Sequence, residues 1–367
     1  MPLVEMAQHH IDKEMSDFAH KNISVAPNAT FSVIMILLVL VSAAQDKQTV
    51  TATAGTPNED SVFYRIDTSL RKMERQFWEQ SLGFLRCKKL KLASLKCYIT
   101  IDETYDSYTG RLHKKPYAEC SYKEKKLRRY IHKYKPKSGD TGSFKYLVFA
   151  LVYGKKHRVL RIKAIKRKEC YWTYIVDTLR DLRKVIRFEC ALMDRGFYVA
   201  ELVDKLQQVD IPFIIRARLC KEMKEIYGIY RQWEKYDYLL GDILPVKLAL
   251  GRDLKNRKWG FLTNLDDVKP ENLRFIYKKR WKIENIFKAT DGIQLHIATP
   301  NYTLRMFSVC LSFLIYNAWQ QKCKKPTLLD YIKGIFDCIL HMIMSVCPYR
   351  DKLRLNNPLW CYVHIDS

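Results

Sequence analysis

Acidic residues are the scarce class in this chain. It has 39 Asp and Glu against 64 Lys and Arg in 367 residues, a formal net charge of +25. An apolar run long enough to cross a bilayer is also missing. The longest, residues 31–44 (FSVIMILLVLVSAA), falls short of the roughly 20 residues a spanning helix needs. It lies too far from Met1, and without a basic lead-in, to read as a secretory signal, so a buried helix is expected there. The eleven cysteines include no C-x2-C pair, which leaves a zinc ribbon or finger without its ligand spacing. An odd number of scattered cysteines points to reduced thiols and a cytoplasmic protein. No internal repeat is visible.

What is present is enough apolar material for a large core: 48% hydrophobic and 13% aromatic residues. That excludes a disordered basic tail. The surplus charge therefore sits on a folded surface, which calls for a polyanionic partner, nucleic acid ahead of an anionic membrane. A ribosome-associated protein and a nuclease fit this balance equally well.

Along the chain, residues 1–90 read as helical. Residues 45–53, a turn at Gly55-Thr56-Pro57 and a helix capped by Asn58 or Asp60 have the layout of a helix-turn-helix, or of an ordinary helical hairpin. Residues 96–102 (KCYITID) read as a strand ending in an acid. A basic run follows, in which Lys114, Lys115, Lys123, Lys125, Lys126, Arg128, Arg129, Lys133, Lys135 and Lys137 are interleaved with Tyr117, Tyr122, Tyr130 and Tyr134. Cations for phosphates and rings for stacking make this a DNA-contacting loop or a solvated basic face. Residues 144–153 and 157–166 flank Gly154-Lys155-Lys156 as a hairpin. Then come a helix over 171–184, a strand over 188–193 ending at Asp194, a helix over 197–207 and a strand over 212–216. This is a mixed α/β order. Short strands at 238–243, 246–251 and 258–263 break the rhythm as an insertion. Pro270 opens a long helix, with Glu271 at its positive end and a stop at Gly292. Apolar helices follow over 304–321 and 328–344.

Three acids stand out by position: Asp102 and Asp194 at strand ends, and Glu284 within the 270–290 helix. Each alone reads as a turn, cap or surface acid, and Glu284 has Arg280 and Lys288 one turn away on either side. Together they read as a metal site. Clustered carboxylates repel and raise one another's pKa, and hard Mg²⁺ or Mn²⁺ relieves that repulsion.

The helix also carries a specific pattern, Tyr277-x2-Arg280-x3-Glu284. It resembles the Y-x2-R-x3-E part of the signature of DDE transposases from prokaryotic insertion sequences. Thr263-Asn264, Trp281, Ile283 and Phe287-Lys288 extend the likeness. Asp194-Arg195-Gly196-Phe197 resembles the family's second-Asp segment, and Asp102-Glu103-Thr104 its first, with Asp106 as rival for that place. The resemblance covers about 96–320. One residue departs from it: the signature expects Lys where Asp291 stands.

The resemblance implies an RNase H-like mixed sheet flanked by helices, with a β-rich insertion before the Glu-bearing helix. Its expected division is a helical N-terminal DNA-binding region (1–90), a catalytic domain (91–217 and 263–325), the insertion (218–262) and a helical C-terminal region (326–367). Asp102, Asp194 and Glu284 take the places of the metal-binding catalytic triad, with two Mg²⁺ ions, or Mn²⁺. Tyr277, Arg280 and Lys288 share their helix face and are expected on DNA, together with Arg195, Lys125, Arg128 and Arg129. The expected activity is DNA transposition, by metal-dependent cleavage at transposon ends and strand transfer into target DNA. The expected setting is a homodimer in the prokaryotic cytoplasm, at the nucleoid and not at a membrane. A nuclease without strand transfer, or a non-catalytic DNA-binding descendant, are the competing readings.

Overall fold

A computed structural model describes residues 13–24, 66, 68–110, 125, 128–218, 233–294, 301–322 and 327–335. The 31–44 run and the helix-turn-helix reading at 45–66 fall outside these residues, apart from Ile66. So do Lys114, Lys115, Lys123, Lys126, Tyr117 and Tyr122 of the basic run. The chain divides into two compact units. One comprises residues 81–105 and 145–286, the other residues 1–80, 106–144 and 287–367.

The first unit holds most of a nine-stranded mixed sheet. Its strands are β1 (Cys97–Tyr108), β3 (Gly142–Tyr153), β4 (Lys156–Ile165), β5 (Cys190–Met193), β6 (Phe213–Arg216), β7 (Glu234–Leu240), β8 (Leu244–Arg252) and β9 (Lys258–Thr263). The short β2 (Ile131–His132) pairs with the start of β3 in the second unit. Strand order is β2-β3-β1-β5-β6-β9-β8-β7, with β4 pairing β3. The hairpin β3–β4 turns at Gly154, whose φ of 53° suits a residue without a Cβ. Strands β5 and β6 run parallel to β1, while β9 closes against β6 antiparallel.

The sequence reading holds for most elements and needs correction at four. Strand β1 does not end at Asp102 but continues to Tyr108, because Thr104, Tyr105 and Tyr108 are themselves strand formers. The helix after Asp194 starts later than expected: Arg195–Phe197 is a 3₁₀ turn, and the α-helix runs Ala200–Gln208. The 270–290 helix is interrupted by a 3₁₀ turn, Lys278–Arg280. The strands at 234–263 do not stand apart from the sheet, since β9 carries the β6 ladder on into β8 and β7.

Helices α1 (Lys13–Asn22), α2 (Leu70–Cys87) and α3 (Lys89–Ala93) precede the sheet. Next come α4 (Trp172–Val185) and α5 (Ala200–Gln208), then α6 (Pro270–Tyr277), α7 (Trp281–Asp291) and α8 (Tyr302–Gln321). Helix α4 turns Ile175, Val176, Leu179 and Leu182 inward, a spacing of one helix face. Pro270 takes the first turn of α6, as its missing N–H permits. Leu273 and Tyr277 of α6 pack on Tyr98, Cys190, Leu192, Ile214, Trp259 and Phe261. By strand alternation these are the residues of one sheet face.

Two polar clamps tie the last three strands to α6. Lys235 Nζ on β7 donates to the carbonyls of Leu265, Asp266 and Val268, at 2.8, 2.9 and 2.8 Å, just before the helix. Asp253 accepts from Arg257 Nε (2.7 Å), Trp259 Nε1 (3.2 Å) and Arg274 Nη2 on α6 (3.0 Å). Lys235→Met keeps the stem and strands the three carbonyls. It is expected to cost about 2 kcal/mol, read as a lower urea midpoint with unchanged slope.

In the second unit α8 is buried nearly all round, with Phe307 stacked on Phe18 of α1 at 5.4 Å. Asn301 caps α8 by accepting from the backbone N–H of Thr303 at 3.0 Å. Residues 328–335 are helical, and the rest of that expected helix lies outside the described residues. No described helix is long and apolar enough to cross a membrane. Cys87, Cys97, Cys170, Cys190 and Cys310 are free thiols.

Candidate active site

Strand register builds the site. Ile99, Thr100 and Ile101 of β1 face Ala191, Leu192 and Met193 of β5 in parallel, so the next pair along is Asp102 and Asp194. Met193 in turn faces Ile215 of β6, which sets Arg216 level with Asp194. An Asp, Asp, Arg row thus crosses three parallel strands, mid-way along β1 and at the carboxyl ends of β5 and β6, where α/β sheets place their ligands. By alternation Asp102 shares the face of Tyr98, and Asp194 that of Leu192, the face on which α6 packs.

The helical segment after α6 reaches into this row. Tyr277 Oη donates to Asp194 Oδ1 at 3.3 Å, and its ring packs 5.0 Å from Phe261. Arg280 Nη1 donates to Asp102 Oδ2 at 2.7 Å, while its Nη2 pairs with Glu284 Oε1. The 3₁₀ turn ends at Arg280 and the next helix carries Glu284 one turn on, so a single guanidinium joins carboxylates from a strand and a helix. Arg280 is only 6% exposed. Its Nε–H has no hydrogen-bond partner.

The electrostatics follow from burial and this pairing. Burial lifts Asp102 to about 6, against the pull of Arg280 and the Glu103 backbone N–H, with the Asp194 and Glu284 charges adding to the rise. Burial works to lower Arg280, but Tyr277 and the carboxylates of Asp102, Asp194 and Glu284 around it leave it raised. Burial raises the Tyr277 phenol, which therefore stays a donor to Asp194 at neutral pH. A carboxyl raised in the folded state stabilises the fold below its unfolded pKa, and that contribution is lost as pH rises through the folded value. The metal-free protein should therefore lose stability between about pH 4 and about 6. Asp102→Asn should flatten that part of a thermal melting profile against pH.

Other expected site residues lie elsewhere in the fold. Asp106, the rival first acid, is taken by Arg305, whose Nη1 donates to Asp106 Oδ2 at 2.7 Å and to the Ser107 carbonyl at 2.9 Å. Glu103 points to the other face of β1. There it pairs with Lys145 Nζ at 2.5 Å and accepts from Tyr105 Oη at 2.8 Å. Arg195 is exposed just past Asp194, and its carbonyl accepts from Arg218 Nε at 3.2 Å. Lys288 is exposed on α7, one turn beyond Glu284. Lys125 and Arg128 are half-buried and Arg129 is exposed, all in the second unit.

Sequence reasoning missed Arg216, whose guanidinium lies 4.0 Å from the centre of the Trp259 ring. Aligning the ends of the three parallel strands would have found it. Sequence reasoning expected Arg280 and Tyr277 on DNA and did not foresee that they also hold the acids.

Three carboxylates are the donor type that hard divalent cations take. As placed, two of them lie on Arg280, and among the described residues no three His, Cys, Asp or Glu side chains stand close enough to hold one ion. The donor chemistry fits a divalent ion, with Arg280 supplying the positive charge in its place.

The family model described as Transposase DDE domain matches residues 101–299, more than half of the chain. The chain belongs to that family: it is a DDE transposase. No curated protein matches it. Among solved structures, it is similar to a piggyBac transposase synaptic complex with hairpin DNA. The two are 12% identical with a TM-score of 0.55, over 96% of this chain and 83% of that one, a likeness of fold. Weaker matches are Ciona intestinalis endonuclease V with a 23mer DNA (11% identity, TM-score 0.29, 59% of this chain and 95% of that one). A Drosophila P element transposase strand transfer complex also matches (12%, 0.26, 94% and 87%).

Proposed function

We propose that this transposase binds the ends of its own element, cuts them and joins the freed 3′ ends to target DNA, using Asp102, Asp194 and Glu284 to hold two Mg²⁺ or Mn²⁺ ions. The observation that carries this reading is the strand register. It sets Asp102 beside Asp194, while Arg280 ties Glu284 to Asp102. Bound there, the ions would activate a water or hydroxyl nucleophile and neutralise charge on the phosphodiester.

The protein's own groups do the rest. Tyr277 fixes one oxygen of Asp194, leaving the other for a ligand. Arg280 pairs with both Asp102 and Glu284 and holds them near each other, and its unpartnered Nε–H is a donor for a phosphate oxygen. Arg195 and Lys288 flank Asp194 and Glu284 along the chain as exposed cations for the DNA backbone. Lys125, Arg128 and Arg129 would contact the DNA backbone as well. Two copies would pair two ends. Residues 1–90 would read the end sequence, 218–262 would brace the Glu284 helix and 326–367 would close the chain as a helical region. The protein would act in the cytoplasm.

The test is incubation with Mg²⁺ and a plasmid carrying the DNA that flanks this gene, with the products sequenced. Cut and joined products are expected. Cut products alone would make the protein a nuclease. Binding with neither product would make it the non-catalytic descendant that the Asp291 departure allows.

A further inference from the structure

Between Gln80 and Asp102 the chain has no acidic residue and five bases, Arg86, Lys88, Lys89, Lys91 and Lys96. All five are exposed, on the end of α2, on α3 and on the turn into β1. The segment is built, not loose. Lys88 N–H donates to the Phe84 carbonyl (3.0 Å), Leu92 N–H to the Lys88 carbonyl (2.9 Å) and Leu95 N–H to the Leu92 carbonyl (3.1 Å). Leu85 of α2 and Leu92 of α3 are buried, and Phe84 lies under the Arg158 guanidinium at 4.1 Å. The inner side is thereby anchored in the unit that carries the candidate active site, and the bases face out.

Helices α4 and α5 of the same unit are laid out differently. On α4 the exposed Arg180 pairs with Asp177 at 2.6 Å and Lys184 with Asp181 at 3.0 Å, and on α5 the half-buried Lys205 pairs with Glu201 at 4.0 Å. None of the five bases of residues 86–96 has an acidic partner among the described residues. A solvated helix face usually interleaves signs at such spacings. An acid-free row of exposed cations on a fixed helical frame instead leaves its repulsion to be relieved from outside, and a rod of phosphates does that.

We propose that residues 86–96 form a ridge that tracks the phosphate backbone of duplex DNA. The ridge extends the DNA-binding reading above by adding a surface before the first catalytic strand. Arg86, Lys88, Lys89, Lys91 and Lys96 contact phosphates without reading bases, so the binding is indifferent to sequence. Leu90, 91% exposed among them, is the feature that an anionic membrane would use instead.

Two measurements test it. First, a fluorescent random-sequence duplex is titrated at several salt concentrations with the unmodified chain and with Lys88→Gln/Lys89→Gln/Lys91→Gln. The slope of log affinity against log salt should flatten by about 0.9 for every phosphate that is no longer neutralised, up to about 2.7. Arg180→Gln/Lys184→Gln should leave it unchanged. Second, Cys87 lies within the ridge and is exposed, as Cys170 is elsewhere. Duplex should slow maleimide labelling of Cys87 and not of Cys170 in the unmodified chain, read peptide by peptide.

An unchanged slope with Cys87 unshielded overturns the ridge, even where the protein cuts and joins DNA. Absence of duplex binding overturns it too, as does shielding of Cys87 by phosphatidylserine vesicles alone. A flattened slope with Cys87 shielded but no cut or joined product keeps the ridge and removes the enzyme reading.

Discussion

Alanine at Glu284 or at Asp194 is expected to reduce Mg²⁺-dependent cleavage and strand transfer by about three orders of magnitude or more, while binding to duplex persists. The two acids come from different parts of the fold. Asp194 follows β5, beside Asp102 in register, and Glu284 comes from α7 and is held by Arg280. Loss of either removes one anionic ligand from a set whose charge a divalent ion would have to balance. Neither acid supports the core: Asp194 and Glu284 are both half-buried at its edge. The folded chain should therefore survive both changes, with melting temperatures within a few degrees of the parent. Cleavage by the Glu284→Ala protein at the parent rate would show that the reaction is organised by other residues.

Arg280→Ala is expected to cost about 3 kcal/mol in the metal-free protein, and Mg²⁺ should recover more of that loss than the same ion adds to the parent. Arg280 is buried and is the cation that joins Asp102 to Glu284. Without it Asp102, already lifted to about 6 by burial, keeps the repulsion of Asp194 and Glu284 and loses the attraction that offset part of it. A ligand that binds only the folded state stabilises it in proportion to the logarithm of its concentration over its dissociation constant. The measurement is the shift of the thermal midpoint with Mg²⁺ in both proteins. A smaller shift in the variant would mean that Arg280 helps to hold the ion and does not stand in for it. Arg280→Lys should behave like the alanine variant. One ammonium lacks the planar fork that reaches two carboxylates in different directions.

Local pattern carried much of this architecture. The β3–β4 hairpin, β5, β6 and α8 are visible in the sequence because apolar runs and turn residues mark them without help from distant parts of the chain. The Tyr277, Arg280, Glu284 spacing is visible for the same reason: residues three and four apart meet on one helical side, and the short 3₁₀ turn does not undo that. The extent of β1 was less legible, since a strand that goes on past its acid looks, residue by residue, like a turn beginning at Asp102. The partners of the two arginines were not legible at all. Arg280 meets an aspartate 178 residues away, and Arg305 meets one 199 residues away.

By itself, the sequence determined that this is a basic mixed α/β protein, and which acids were worth suspecting, because charge, apolar period and helical spacing are properties of neighbouring residues. The tertiary structure decided that Asp102, and not Asp106, stands beside Asp194. It also decided that Arg280 and Tyr277 grip the acids, and that the bases of the row at 86–96 form no ion pair among the described residues. Those outcomes depend on strand register and on which side chain is buried beside which, and both are set only when the sheet and its helices close on one another.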